Sequence, residues 1–122
     1  MQEAALSQQA KVLADTAKSH DGLQWVVAQA SVATPEALRS LAVKIDQTLP
    51  QSLVILGAAF GAKATLLALC SKAAIDAGYR AGDLVKEIAG ELGGKGGGKP
   101  DFAMGGAKDI NRLSEVLNRY PR

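Results

Sequence analysis

The sequence predicts an α/β domain with a single mixed β-sheet of three or more strands, packed by helices, and an N-terminal helical arm. Four segments of the 122-residue chain repeat apolar residues at helical spacing. Three shorter apolar or β-branched segments lie between turn residues, as strands do. Because the two kinds of segment alternate along the chain, we expect helices to pack on a sheet.

Composition is that of one folded domain with a modest core. Hydrophobic residues make up 48% of the chain and aromatic residues 4%, so the core is built from small aliphatic side chains. The formal net charge of +2 is too small to indicate nucleic-acid binding by itself. No signal-like segment or membrane-length apolar run is present, which predicts a cytoplasmic, reducing environment and no membrane association.

Cys70 and His20 are the only cysteine and histidine. One cysteine excludes an intrachain disulfide, and the pair excludes a Cys/His zinc site. We interpret Cys70 as a buried small hydrophobe and His20 as a solvated residue at a helix end.

The N-terminal elements follow from spacing and turn signals. Residues Met1 to Ser19 read as an alanine-rich helix, and His20 to Gly22 as a turn. Leu23 to Ala30 predicts a strand, in which Trp25 serves as a core anchor or stacks on a nucleobase. The predicted boundaries are 1–20 for the helical arm and 21–122 for the globular domain.

A helix and a hairpin follow. Thr34 as N-cap, Pro35 at the first helical position and Glu36 in the first turn predict a helix start. Its apolar stripe consists of Leu38, Leu41, Ala42, Ile45 and Leu49, and Pro50 ends it. Leu53–Ala58 and Lys63–Cys70 predict two strands joined near Phe60-Gly61. Strands this apolar are expected to be central in the sheet or buried on both faces.

The last elements surround a glycine-rich segment. Residues Ser71 to Arg80 read as a connector with one helical turn, and Ala81 to Leu92 as the most regular helix, with Gly93 at its C′ position. Asp109 is predicted to cap a final helix. Its inward residues are Ile110, Leu113, Val116, Leu117 and Tyr120.

The segment from Gly93 to Asp109 holds seven of the 13 glycines. We predict a loop whose bare backbone N–H groups bind an anion, with phosphate as the first choice. Residues 93–122 contain six basic and three acidic residues, so this part alone carries +3.

Two other interpretations of this segment are less favoured. Gly93, Gly98 and Lys99 match the frame of a P-loop, but Pro100 stands where Ser or Thr should bind Mg²⁺, and the segment follows a helix instead of a strand. A nucleotide triphosphatase is therefore excluded. A flexible linker is the second alternative, and it fits less well because a linker is Gly/Ser-rich and joins two domains.

A long motif runs through the second half of the chain. After an apolar hairpin, a helix begins with Ala81-Gly82-Asp83, and the pattern G-G-x-G-G-G-[RK]-P-[DN]-x-A-x-x-G-G follows, one residue shorter here before its last glycine pair. The matching positions are Gly93, Gly94, Gly96, Gly97, Gly98, Lys99, Pro100, Asp101, Ala103, Gly105 and Gly106. These features resemble the C-terminal globular (C-Ala, DHH-associated) domain of alanyl-tRNA synthetase, a type also found in DHH-family phosphoesterases.

The resemblance implies a non-catalytic tRNA-binding domain that contacts the tRNA elbow and helps to couple aminoacylation and editing. Its implied partners are tRNA-Ala and the catalytic and editing domains of the parent synthetase, with homodimerisation in some members and no cofactor. It also implies that residues 1–20 are the remnant of a helical arm, and that the chain is an excised or free-standing domain. The predicted RNA-binding residues are Gly93, Gly94, Lys95, Gly96, Gly97, Gly98, Lys99, Pro100, Asp101, Phe102, Gly105, Gly106 and Lys108.

Within this set the lysines are expected to contact phosphates, and Phe102 to stack on a base or to anchor the loop on the core. Two alternatives remain. The chain is a protein-association module, using the N-terminal helix and the edge of the apolar hairpin. Or it is the accessory half of a phosphoesterase, which needs a DHH catalytic domain that this sequence lacks.

Overall fold

The computed structural model describes residues 2–20, 22–29, 34–48, 51–60, 63–108 and 112–117. These residues form a three-layer α/β fold around one six-stranded sheet with the strand order β1-β2-β3-β4-β6-β5. The elements are α1 (Gln2–Asp15), β1 (Lys18–His20), β2 (Leu23–Gln29), α2 (Pro35–Thr48), β3 (Ser52–Phe60), β4 (Lys63–Cys70), α3 (Lys72–Asp76), α4 (Ala81–Glu91), β5 (Lys95–Gly98), β6 (Phe102–Ala107) and α5 (Leu113–Leu117). The predicted α/β class with one mixed sheet is confirmed.

The strands β3 and β4 form the centre of the sheet. β2 and β3 run parallel, with α2 as their connection, whereas the other neighbouring strands are antiparallel. Val54, Ile55 and Leu56 are all fully buried, as expected for a strand covered on both faces. The central placement is as predicted. The hairpin edge proposed as an association surface is wrong, because β1 and β5 form the two edges of the sheet.

Two hydrophobic clusters lie on opposite faces of this sheet. On one face α4 packs against the sheet through Val85 and Ile88, together with Trp25 and Ile55. On the other face α2 packs through its predicted apolar stripe, and Ala10 of α1 belongs to the same cluster. The stripe residues that the structure describes are all buried: Leu38, Leu41, Ala42 and Ile45. None of the described helices is long and apolar enough to cross a bilayer.

The start of α2 and the end of α4 follow the sequence signals. The hydroxyl of Thr34 accepts a hydrogen bond from the Ala37 N–H at 3.1 Å, which satisfies one of the free N–H groups at the start of α2. Beyond α4, Gly93 adopts a φ of 73°, the left-handed conformation that favours glycine after a helix. Both capping predictions are confirmed.

The N-terminal region departs from the prediction. The helix ends at Asp15, and Lys18–His20 pairs with β2 as a short edge strand, so His20 ends a strand instead of a helix. Trp25 is 2% exposed and meets the Tyr79 ring edge-on at a centroid distance of 5.0 Å. Trp25 is therefore a core anchor in this structure and is not placed to stack on a base.

Some predictions lie outside the described residues. These are the helix end at Leu49 and Pro50, the turn residue Gly61, the cap at Asp109, and the inward positions Ile110 and Tyr120. The connector prediction is confirmed by the short helix α3 and by Gly78, whose φ is 99°.

Candidate nucleic-acid interface

The glycine-rich segment is a β-hairpin, and its prediction as an irregular loop is wrong. β5 pairs antiparallel with β6. β6 in turn pairs antiparallel with the central strand β4, from Leu69 opposite Phe102 to Ala64 opposite Ala107. The Lys99 N–H donates to the Phe102 carbonyl at 2.9 Å. A loop of Pro100 and Asp101 therefore joins the two strands.

Hydrogen bonds from two other elements fix the hairpin tip. The Pro100 carbonyl accepts from the N–H of Ala81, the first residue of α4, at 2.8 Å. The Asp101 carbonyl accepts from the N–H of Cys70, the last residue of β4, at 2.9 Å. Because a free helix N-terminus and a strand end are satisfied here, the tip is held in place before any ligand arrives.

Some of the predicted glycines serve close packing. A Cβ on Gly96 would lie 2.5 Å from Val85 Cγ1 of α4, and one on Gly105 would lie 2.7 Å from the same atom. A Cβ on Gly94 would lie 1.9 Å from the Gly106 carbonyl oxygen. Gly96 and Gly105 let the hairpin approach α4, and Gly94 lets the chain pass close to β6. Their lack of a side chain therefore has a structural cause.

The opposite face of the hairpin is open. Because side chains alternate along a strand and Gly96 faces α4, Lys95 and Gly97 face away from α4, and their register partners are Gly106 and Met104. A Cβ on Gly97 would meet no atom within 4 Å, and one on Gly106 would meet only the Ala64 carbonyl oxygen, at 3.8 Å. We name this surface the hairpin face, made of Lys95, Gly97, Phe102, Met104 and Gly106.

A groove of about 470 Å³ runs between the hairpin face and α2. Arg39 of α2 is exposed, and its guanidinium carbon lies over the Phe102 ring, 5.0 Å from the centroid. Phe102 is half-buried and packs against the cluster on the α2 side of the sheet. The groove is lined by Arg39, Gly97, Gly98, Lys99, Asp101, Phe102, Ala103 and Met104.

The three predicted lysines are all exposed, but they do not form one cluster. Lys95 begins β5 and Lys99 follows its last residue, Gly98, so four extended residues separate their Cα atoms by about 13 Å. Lys99 lines the groove beside Arg39, whereas Lys108 lies at the other end of the hairpin, where its N–H donates to the Leu92 carbonyl at 3.2 Å.

Lys108 shares a second groove, of about 570 Å³, with Arg112 at the C-terminal end of α4. Arg112 donates to the Glu91 carbonyl at 3.3 Å and lies 3.8 Å from the Glu115 carboxylate. Its charge is therefore partly used at the end of the helix, where a cation offsets the helix dipole.

Sequence reasoning missed Arg39 and Met104. Met104 carries a readable signal, because Phe102 and Met104 alternate with alanine and glycine as residues on one face of a strand do. Arg39 carries no such signal, since it lies on a helix distant in sequence and reaches the hairpin only through the fold.

The groups at the hairpin are suited to binding a ligand. The hairpin offers cations, a flat backbone surface and one cation–π pair. In the described ranges no three His, Cys, Asp or Glu side chains could hold a metal ion together. Burial raises the pKa of the nearby Cys70 thiol to about 12, with a smaller contribution from Asp101, so this thiol stays protonated and is not a nucleophile at neutral pH.

Comparison with known proteins gives one consistent family. The DHHA1 domain family matches residues 22–121. Alanine–tRNA ligase of Opitutus terrae is 50% identical over 107 residues, which are 88% of this chain and 11% of that protein. The enzyme of Exiguobacterium sibiricum is 40% identical (89% and 12% covered), and that of Psychrobacter arcticus is 35% identical (99% and 14%). The chain thus spans only about a tenth to a seventh of these relatives.

Two solved structures share the fold. The C-Ala domain of Aquifex aeolicus alanyl-tRNA synthetase aligns with a TM-score of 0.70 and 26% identity, covering 84% of this chain and 92% of that domain. A DHH-domain protein, described as a member of a family of ribosomal proteins, aligns with a TM-score of 0.59 over 96% of this chain and 30% of its own. At 15% identity the second match shows the fold alone.

Proposed function

Because the chain belongs to the DHHA1 domain family, we propose that it acts as the C-Ala domain of an alanine–tRNA ligase and binds the elbow of tRNA. The observation that carries this proposal is the hairpin face, which combines bare backbone with the exposed Lys95 and lies beside the exposed Lys99. The relatives named alanine–tRNA ligase and the C-Ala domain structure support the same assignment.

The hairpin face suits the chemistry of the elbow, where loop bases are exposed among phosphates. RNA of this kind is recognised through shape, stacking and backbone contacts. Gly97 and Gly106 allow bases and sugars to approach the protein backbone, and Lys95 and Lys99 supply charge for phosphates at either end. Since the tip of the hairpin is already fixed by hydrogen bonds, little conformational entropy is lost on binding.

In the parent enzyme this domain takes no part in the chemical steps. Aminoacylation and editing take place in other domains, and this one holds the tRNA while its acceptor end moves between them. The domain acts in the cytoplasm, where tRNA is aminoacylated. Homodimerisation stays a prediction, and its contact must use a surface other than Ala10 and Ala14 of α1, which are buried within the domain.

The test is a salt titration of binding to an unmodified tRNA-Ala transcript, beside a transcript whose two elbow loops cannot meet. We expect binding that requires the elbow and weakens as salt increases. Equal binding of the two transcripts, or none, would remove the proposal.

The lysine contribution is tested with the double variant Lys95→Ala/Lys99→Ala. Loss of two phosphate contacts makes the negative slope of log K against log salt shallower by about 1.4 to 1.8. We also expect about tenfold weaker binding at moderate salt. Lys72→Ala/Lys86→Ala is the matched control, since both of these lysines are exposed and lie on α3 and α4. A double variant that binds as tightly as its control would contradict a lysine contact at the hairpin.

A further inference from the structure

The groove beside α2 contains a planar cation that the sequence motif does not include. Arg39 is exposed, its guanidinium lies over the half-buried Phe102 ring, and it lines the groove with Gly97 and Met104. One side of the guanidinium therefore rests on an aromatic ring that is itself packed on the core. A cation–π contact of this kind limits the movement of the guanidinium.

The geometry points to Arg39 as a stacking plane for one exposed nucleobase of the bound RNA, supported from below by Phe102. The inference rests on the proposed function and adds to it a residue, a groove and the chemical group that the groove takes. A base reaches the guanidinium before the phenyl ring, because Phe102 is partly covered by Arg39 and partly packed in the core.

A base fits this groove better than a phosphate does. Asp101 lines the same groove and offsets part of the positive charge of Lys99 and Arg39, whereas Gly97 and Met104 offer an open backbone and an apolar wall against which a base can lie. Stacking on an arginine plane is a regular way to hold an unpaired base, and it tolerates any base because each has a π-face. The phosphates are then left to Lys95 and Lys99.

The test compares Arg39→Lys with Arg39→Gln in the same salt titration with the unmodified tRNA-Ala transcript. Lysine keeps the charge but has no plane. If Arg39 stacks on a base, we expect Arg39→Lys to bind about tenfold more weakly, with an unchanged salt slope. Lys86→Gln on α4 is the matched control for the loss of one charge, and thermal melting of each variant checks that it is folded.

Each other outcome overturns the inference. If Arg39→Lys binds normally and Arg39→Gln lowers the salt slope by about 1, Arg39 contacts a phosphate. If both variants bind the transcript as tightly as the unsubstituted domain does, the groove is not used. Either result leaves the proposed function standing as long as Lys95→Ala/Lys99→Ala is impaired. If the parent domain itself does not bind tRNA, both proposals fail together.

Discussion

At the scale of single residues, the pKa of Cys70 links a buried side chain to the stability of the fold. The thiol is 4% exposed, and burial, followed by the charge of Asp101, raises its pKa to about 12. The unfolded chain loses this proton near pH 8.5. Between these two values the unfolded state binds fewer protons than the folded state, so stability falls as the pH rises through the window.

We therefore expect the free energy of unfolding to fall by up to about 1.4 kcal/mol per pH unit above pH 9 through this thiol. Other groups also titrate there, so the measurement is the difference between the parent and Cys70→Ala in urea titrations at pH 7 to 11. The variant, which has no thiol, should lose less stability on the same pH increase. Parallel curves for the two proteins would contradict the raised pKa.

Ser52 shows how one polar side chain is accommodated in the core. It is fully buried at the start of β3, and its hydroxyl donates to the Asp46 carboxylate at 2.5 Å. The Ser52 carbonyl also accepts from the Ser71 N–H at 3.0 Å. Buried polar groups are tolerated when they are paired in this way, and this pair ties the end of α2 to the sheet.

At the scale of elements, two glycines of α4 allow a matched comparison. A Cβ on Gly82 would lie 2.8 Å from the carbonyl oxygen of Gly98 in β5, whereas a Cβ on Gly90 would meet nothing within 4 Å. Alanine is favoured over glycine within a helix by about 1 kcal/mol. The same substitution should therefore have opposite effects at the two ends of one helix.

We expect Gly90→Ala to raise the free energy of unfolding by about 0.5 to 1 kcal/mol, and Gly82→Ala to lower it. At Gly82 the overpacking costs about 1 to 3 kcal/mol, which outweighs the gain in helix propensity. Urea unfolding of both variants beside the parent measures this. Stabilisation by Gly82→Ala would show that α4 does not need its close approach to β5.

The elements differ in whether their own sequence predicts them. α2, α4, β3 and β4 were predictable because each carries its own periodicity or capping residues. β5 and β6 were not, since glycine is depleted in strands and a run such as Lys95–Gly98 reads locally as a loop. These strands exist because β4 offers an edge to pair with and α4 needs a surface without side chains.

The candidate site was also predictable in part. The motif predicted that Lys95, Lys99 and Gly97 would be accessible, and the structure exposes all three. It could not separate Gly97 from Gly96, which differ only in the face of the strand on which they lie. Once a segment is known to be a strand, alternation assigns each residue to a face, so the missing information was the secondary structure.

At the scale of the whole molecule, the hairpin face and the N-terminal helix are separate parts of one fold. α1 packs on α2 and β2, with Ala10 and Ala14 buried, whereas the hairpin face lies at the β5 end of the sheet. The domain division at residues 20 and 21 stays a prediction. Its physical content is that residues 21–122 fold and bind RNA without the helix.

A variant lacking residues 2–17 tests this division, because it removes α1 and keeps the edge strand β1. We expect the variant to fold, with a free energy of unfolding lower by about 1 to 3 kcal/mol, because small alanine contacts contribute little burial. Its affinity for the tRNA-Ala transcript should stay within about twofold of the parent, since Lys95, Lys99 and Arg39 are all retained. Circular dichroism melting and the salt titration measure the two quantities. An unfolded variant would make α1 an integral part of the domain, and a folded variant with weak binding would place part of the RNA contact on α1.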